Sequence, residues 1–397
     1  MKSNLNAKKS TPPGPTSLNR DIRVEGWTAP GFERVRDALQ SNVDVREEFD
    51  ADFAMYLEGE LVVDLQVREF NGSGQIKTID SVYPIFSVTK AMTLFVLMSL
   101  VEEGSIDVDW PMSYIWPEFG QAGKEVITIR QVASHQAGLP AFDEPTTVFD
   151  LTDWELCIDR LARQTPRWTP GSAHGYHAIT VGYLLGEIIR RVTGETVGAK
   201  FSKQFALPLQ LSAWIGLPVL EQFRVQPIQE FQSSETALGF EWSELNQAVM
   251  NFPPVNAETF NQKGIWTAEI PAANGIADAR SLARLFATAT RGPLLRFRDN
   301  TIQLMTDPQV DGPDLVLHDQ PTRFGIGFLL PNSRAPMLSP SSFGHDGRGG
   351  ALAFADRDTN IAYAYVTSIA NLELGPDRRN TRLTTAIREV LLDYNFF

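Results

Sequence analysis

A chain of 397 residues is long enough for two domains or one large one, and 43% hydrophobic with 21% charged residues is an ordinary globular composition. A formal net charge of −13 argues against nucleic acid or an anionic membrane as partner. One cysteine, Cys157, excludes an intramolecular disulfide, and the five histidines lack ligand spacing such as His-Glu-x-x-His, so chemistry without a metal or other cofactor is expected.

The segment 1–21 is rich in Lys, Ser, Pro and Asn and has no apolar core, so it reads as a disordered leader and not as a signal peptide. No apolar run reaches the length of a membrane span, and a soluble, cytoplasmic protein is expected. Ala29 to Leu39, with Pro30 at its start and Phe32, Val35 and Leu39 at spacings of three and four, predicts an amphipathic helix covering a sheet. Phe53 to Leu57 and Leu61 to Leu65, joined by Glu58-Gly59-Glu60, predict an antiparallel hairpin.

Next comes Tyr83-Pro84-Ile85-Phe86-Ser87-Val88-Thr89-Lys90, running into the apolar stretch Ala91 to Val101, which Gly104 ends. On a helix beginning at Ser87, the hydroxyl of Ser87 and the amine of Lys90 project from one face of the first turn. The helix N-terminus favours an alkoxide at Ser87 and a neutral amine at Lys90, the arrangement of a Ser-x-x-Lys nucleophile. Alone the pair is weak, since about one arises by chance in a chain this long, and an N-cap serine beside a solvated lysine is the plain alternative.

From Ser105 to about Ala268 helical periodicities alternate with Pro- and Gly-bearing loops, which suggests a helical domain inserted into an α/β domain. Ile127 to Ala133, Trp154 to Ala162 and Ala178 to Val192 are its helices, with a turn at Trp168 to Ser172. Leu217 to Thr267 is irregular and carries Phe223, Phe231, Phe240, Trp242, Phe252, Phe260 and Trp266, which either line an apolar pocket or pack as core. After the turn Asn274-Gly275, Ala279 to Thr288 is helical. Phe324 to Phe328, Ala351 to Ala355 and Ile361 to Val366 read as strands, the last two joined by Asp356 to Asn360. A closing helix with Leu383, Ile387, Val390, Leu391 and Tyr394 as its stripe should share the sheet with the first helix.

Three further features stand in an order that suits a Ser-x-x-Lys enzyme. Tyr176, in the turn Gly175-Tyr176-His177, can be held near Ser87 and shuttle its proton. The run Phe343-Gly344-His345-Asp346-Gly347-Arg348-Gly349-Gly350 lets backbone approach a ligand, where a strand-edge N–H would complete an oxyanion hole with the N–H of Ser87. The third is the loop Ser134-His135-Gln136-Ala137-Gly138-Leu139. Taken singly, these are a packed aromatic, a hairpin connection and a loop histidine.

Together, Ser87-Val88-Thr89-Lys90, Ser134 to Leu139, Tyr176-His177-Ala178 and His345-Asp346-Gly347 resemble the motif series of class C β-lactamases, penicillin-binding proteins and, most closely, the family VIII serine carboxylesterases. The resemblance runs from about Gly26 to Val366 and includes Trp168-Thr169-Pro170-Gly171 and Asn274-Gly275. It implies an α+β, β-lactamase-like fold: an antiparallel sheet flanked by helices, built from 22–104 and 269–397, with a mainly helical domain, 105–268, inserted. It further implies Ser87 as nucleophile, Lys90 as its base, Tyr176 as second acid/base, and the N–H groups of Ser87 and Arg348 as oxyanion donors. His345, Gly347, His135 and Asn274 are the remaining site candidates, and the expected partner is a small-molecule ester.

The departures from the family pattern point the same way. Where β-lactamases carry Lys-Thr-Gly or Lys-Ser-Gly this chain has His345, a weaker anchor for a drug's carboxylate, and the asparagine usual two residues after the tyrosine is Ala178. Both favour a neutral ester over a β-lactam. No Gly-x-Ser-x-Gly is present, which disfavours an α/β-hydrolase. Acyl transfer to an alcohol or amine is the alternative outcome, followed by weak β-lactamase or D-amino peptidase activity and by a catalytically silent binding module. Nothing in the sequence bears on oligomeric state.

Overall fold

The computed structural model describes residues 21–71, 74–75, 80–231, 243–251, 254–294, 296–333, 335–371 and 376–393. The leader lies outside them except for Asp21, which already belongs to a strand. Tyr394, Phe240, Trp242 and Phe252 and the side chain of Phe231 are outside them too.

The main sheet contains β1 (Asp21–Thr28), β2 (Ala51–Leu57), β3 (Glu60–Asn71), β4 (Ser342–Asp346), β5 (Leu352–Asp356) and β6 (Ile361–Thr367). Their spatial order is β1-β3-β2-β6-β5-β4, every pairing antiparallel, so the two ends of the chain meet where β2 lies beside β6. The hairpin expected at Glu58-Gly59 is β2–β3. β1 escapes a sequence reading because it is an edge strand with most of its residues exposed, and its apolar alternation is confined to Ile22 and Val24 before Gly26 interrupts it.

Both faces of the sheet are covered, and the strands show it by alternating in size instead of polarity. On β6, Ile361, Tyr363 and Tyr365 join Phe53, Met55 and Phe354 in the core under α1 (Glu33–Asp44) and the C-terminal helix α5 (Arg378–Asp393). Ala362, Ala364 and Val366 face the opposite side with Ala54, Ala353 and Ala355, against α4 (Ala279–Ala287). α1 thus begins at Glu33, not Ala29, and it packs on α5 as the two apolar stripes require.

α2 (Val88–Glu102) is mostly apolar and buried at every residue from Val88 to Leu100. It packs on α3 (Thr180–Thr193) and β4. Helices dominate the intervening chain; the one expected from Ile127 starts at Ile129 and ends at Ala133, and the one expected over Trp154 to Ala162 runs Trp154–Arg163. A three-stranded clip ties its two ends together, Ile276–Ala277 lying between Tyr83–Pro84 and Ala213–Trp214. The strand expected over Phe324 to Phe328 is corrected to Pro321–Phe324. A side chain at Gly325 would run into the Met305 carbonyl, and Gly327 sits at φ +75°, so the chain bends away after Phe324.

Candidate active site

Ser87 is the residue before the first turn of α2, and the chain reaching it is held on both sides. The Ile85 N–H donates to the Gly275 carbonyl (2.9 Å), and the Gly275 N–H donates to Thr89 Oγ1 (2.8 Å). A Cβ on Gly275 would press on Thr89, and one on Gly347 would strike the Ile85 carbonyl, so both glycines permit a close approach to the serine segment. Phe86, buried against Phe260, has φ +45°, a strained conformation for a bulky residue directly before the serine.

The structure brings Ser87, Lys90 and Tyr176 together. Tyr176 Oη donates to Ser87 Oγ at 2.7 Å, and Lys90 Nζ lies 3.1 Å from the same oxygen and 4.8 Å from the centre of the tyrosine ring. Lys90 is buried, and its amine also donates to the carbonyls of Ala178 (2.7 Å) and Ala272 (2.9 Å). Burial pulls its pKa down to about 7, against a smaller upward pull from the Asp346 carboxylate. Near neutrality a large share of Lys90 is therefore an uncharged amine. Among the described residues, the backbone N–H groups of Ser87 and Arg348 are not taken up by any other group.

The histidines stand behind this trio. His135, at φ +64°, packs on the rings of Tyr176 (5.0 Å) and Phe324 (4.7 Å), and its Nδ1 accepts from the His177 N–H. His177 donates from Nδ1 to the Gly175 carbonyl and accepts at Nε2 from the Leu139 N–H. Burial holds His135 well below the usual imidazole range and His177 at about 3, so both are neutral supports of the tyrosine segment.

Two further candidates sit differently from what their motifs suggest. His345 is only 1% exposed, its Nδ1 against the Asp346 carbonyl and its ring 6.1 Å from that of Tyr176, so it belongs to the wall behind the tyrosine. Asn274 is buried and staples its own loop: Nδ2 donates to the Ile265 and Ala268 carbonyls, and Oδ1 accepts from the Ile270 N–H. It shapes the segment that holds Ser87 through Gly275. Arg348 is half-buried, and burial lowers its pKa.

Groups that sequence reasoning missed are the carbonyls of Ala178 and Ala272, and Asp314 with Thr322 and His174. Asp314 accepts from the Tyr176 N–H across 138 positions, a separation that no motif spacing could have disclosed. Among the described residues no group of three His, Cys, Asp or Glu side chains is placed to hold a metal ion, and no helix is long and apolar enough to cross a membrane.

The beta-lactamase family model matches residues 47–386. The Mycobacterium tuberculosis protein "Esterase/beta-lactamase LipL" is 33% identical over 87% of this chain and 82% of its own. A family VIII carboxylesterase structure superposes with a TM-score of 0.84 at 32% identity, covering 93% of this chain and all of that one. A penicillin-binding protein homologue from Caulobacter crescentus gives 0.83 at 35% identity, again over 93% and 100%. The chain belongs to the beta-lactamase family and groups within it with the family VIII carboxylesterases.

Proposed function

We propose that this protein is a serine carboxylesterase working through an acyl-enzyme on Ser87. The observation that carries the reading is the position of Ser87 Oγ, between a buried amine at 3.1 Å and a phenol at 2.7 Å. Neutral Lys90 accepts the Ser87 proton as Oγ bonds to the ester carbonyl carbon. The carbonyl oxygen becomes an oxyanion, met by the free N–H groups of Ser87 and Arg348. As the C–O bond to the alcohol breaks, the proton passes from Lys90 by way of Tyr176 to the leaving oxygen. Water then repeats the sequence in reverse, giving its proton to the Lys90–Tyr176 pair and releasing the acid and Ser87.

The names of the M. tuberculosis esterase and the family VIII structure support the ester as substrate. So does the residue at the third motif, a buried histidine, His345, where β-lactamases carry the lysine that grips a drug's carboxylate. Weak β-lactam turnover is the second reading, favoured by the double name of that same relative. The same proposal divides the chain into 22–104 with 269–397 and an inserted unit, 105–268, which would contribute Tyr176 to a cleft whose other wall carries Ser87 and Lys90. Intact-mass analysis after exposure to p-nitrophenyl esters of graded length, and to a penicillin, tests the reaction. An acyl adduct on the peptide carrying Ser87, absent in Ser87→Ala, is expected with the esters; an adduct on a different serine with Ser87 unmodified would overturn it.

A further inference from the structure

Tyr176 is held from two directions. Its ring rests on His135 and Phe324, while its main chain is gripped by a carboxylate from a distant part of the sequence. Asp314 is fully buried. Its Oδ1 accepts from the N–H groups of Tyr176 (3.0 Å), Val316 (2.9 Å) and Leu317 (3.0 Å), and its Oδ2 accepts from the Thr322 hydroxyl (3.1 Å). All four partners donate, three to Oδ1 and one to Oδ2, so the side chain acts as acceptor only.

The contact extends beyond one side chain. Thr322 has given its only hydroxyl proton to Asp314, so at 2.9 Å it accepts from His174 Nε2, and the His174 carbonyl in turn accepts from the Leu315 N–H at 3.1 Å. The segments 174–176 and 314–317 are thereby fastened along their length, with Asp314 at the centre. Core packing of comparable strength could have been supplied by an apolar residue. A buried carboxylate is costly unless every lone pair is satisfied, and what it adds over apolar packing is direction.

We infer that Asp314 is a positioning residue for the reaction: it fixes the backbone of Tyr176, and with it the 2.7 Å approach of Tyr176 Oη to Ser87 Oγ. It touches neither substrate nor the reacting atoms. The inference rests on the acid/base role proposed for Tyr176, because positional error matters only if the phenol handles a proton. Displacing such a group by around 1 Å costs on the order of a hundredfold in rate.

The test combines Asp314→Ala, Asp314→Asn and Tyr176→Phe, with kcat and KM measured on one p-nitrophenyl ester and folding checked by circular dichroism. Asp314→Ala is expected to lower kcat by about ten- to a hundredfold with KM nearly unchanged, and Asp314→Asn, which keeps one acceptor oxygen, to restore a large part of the loss. Added to Tyr176→Phe, Asp314→Ala should cost less than about twofold more, since the group it positions is already gone. If Asp314→Ala does not fold, Thr322→Val takes its place, with a smaller loss of kcat that likewise vanishes beside Tyr176→Phe. The inference is overturned if the loss in kcat is the same in both backgrounds, or if kcat is unaffected in a folded variant. Wild-type kcat in Tyr176→Phe would overturn the role of the tyrosine itself, and the inference with it. A defective Tyr176→Phe beside a fully active Asp314→Ala would remove the inference alone.

Discussion

Lys90 has three hydrogen-bond partners and, once deprotonated, only two protons to give them. The carbonyls of Ala178 and Ala272 can only accept, so they claim both protons and leave the lone pair for the hydroxyl of Ser87. Burial supplies the other requirement by pulling the pKa to about 7. The sign follows directly: below pH 7 the amine is charged and cannot take the serine proton, so kcat/KM should fall on the acid side with a midpoint near 7. Asp346 raises the pKa of Lys90, so Asp346→Asn should move that limb to lower pH. A pH profile of kcat/KM for wild type and variant checks both, and a limb that stays put or moves upward would sink the electrostatic account. At this scale the sequence discloses what short spacing or a motif carries, namely Ser87, Lys90 and Tyr176. It hides Asp314, which bonds to Tyr176 only after folding, and it shows the identity of His345 but not its burial.

On β6 the pattern Ile361-Ala362-Tyr363-Ala364-Tyr365 was legible as a strand, and its size alternation tells which helix lies on which side. Ala364 is paired in register with Ala54 on β2 and Ala353 on β5, a row of alanines crossing three adjacent strands beneath α4. Small side chains there let the helix lie close to the sheet, while Tyr363 and Tyr365 fill the deeper space on the other face and place their hydroxyls on Asn380 and Glu48. Ala364→Leu should therefore overpack the α4 face and destabilise the protein by about 1–3 kcal/mol. Urea denaturation measures this, and an unchanged midpoint would mean that α4 does not need the close approach. The strand expected at Phe324 to Phe328 failed for the opposite reason: its apolar alternation is genuine, but the closeness of Met305 to Gly325 is a tertiary fact that periodicity cannot carry.

Parts of the chain far apart in sequence converge on one buried polar cluster at the end of the sheet. Arg68 of β3 pairs with Asp52 of β2 at 2.6 Å, and its Nη1 donates to the Tyr83 hydroxyl at 3.3 Å and to the Ala51 carbonyl at 3.2 Å. Tyr83 in turn donates to Asp50 at 3.0 Å, and Ser368, just beyond β6, donates to the same Asp50. All of these residues are buried, and burial raises the Asp52 pKa to about 7 against the downward pull of the Arg68 guanidinium paired with it. Tyr83 is also part of the clip with Ile276–Ala277 and stands four residues before Ser87, so the cluster anchors the approach to the nucleophile to both halves of the sheet. Arg68→Leu keeps much of the volume but removes the cation paired with buried Asp52 and the donor to the Ala51 carbonyl, and it should destabilise the protein by about 3–5 kcal/mol. Tyr83→Phe removes a single hydroxyl and should cost about 1–2 kcal/mol. Because the serine run-in is fastened here, Arg68→Leu should also lower kcat at temperatures where the protein remains folded, whereas Ala364→Leu on the sheet should leave kcat close to wild type. Denaturation midpoints and kcat for both variants decide it: an Arg68→Leu protein of wild-type stability would show that the cluster contributes nothing, and one that is unstable but fully active would show that the serine segment is held in place by the Gly275 contacts alone.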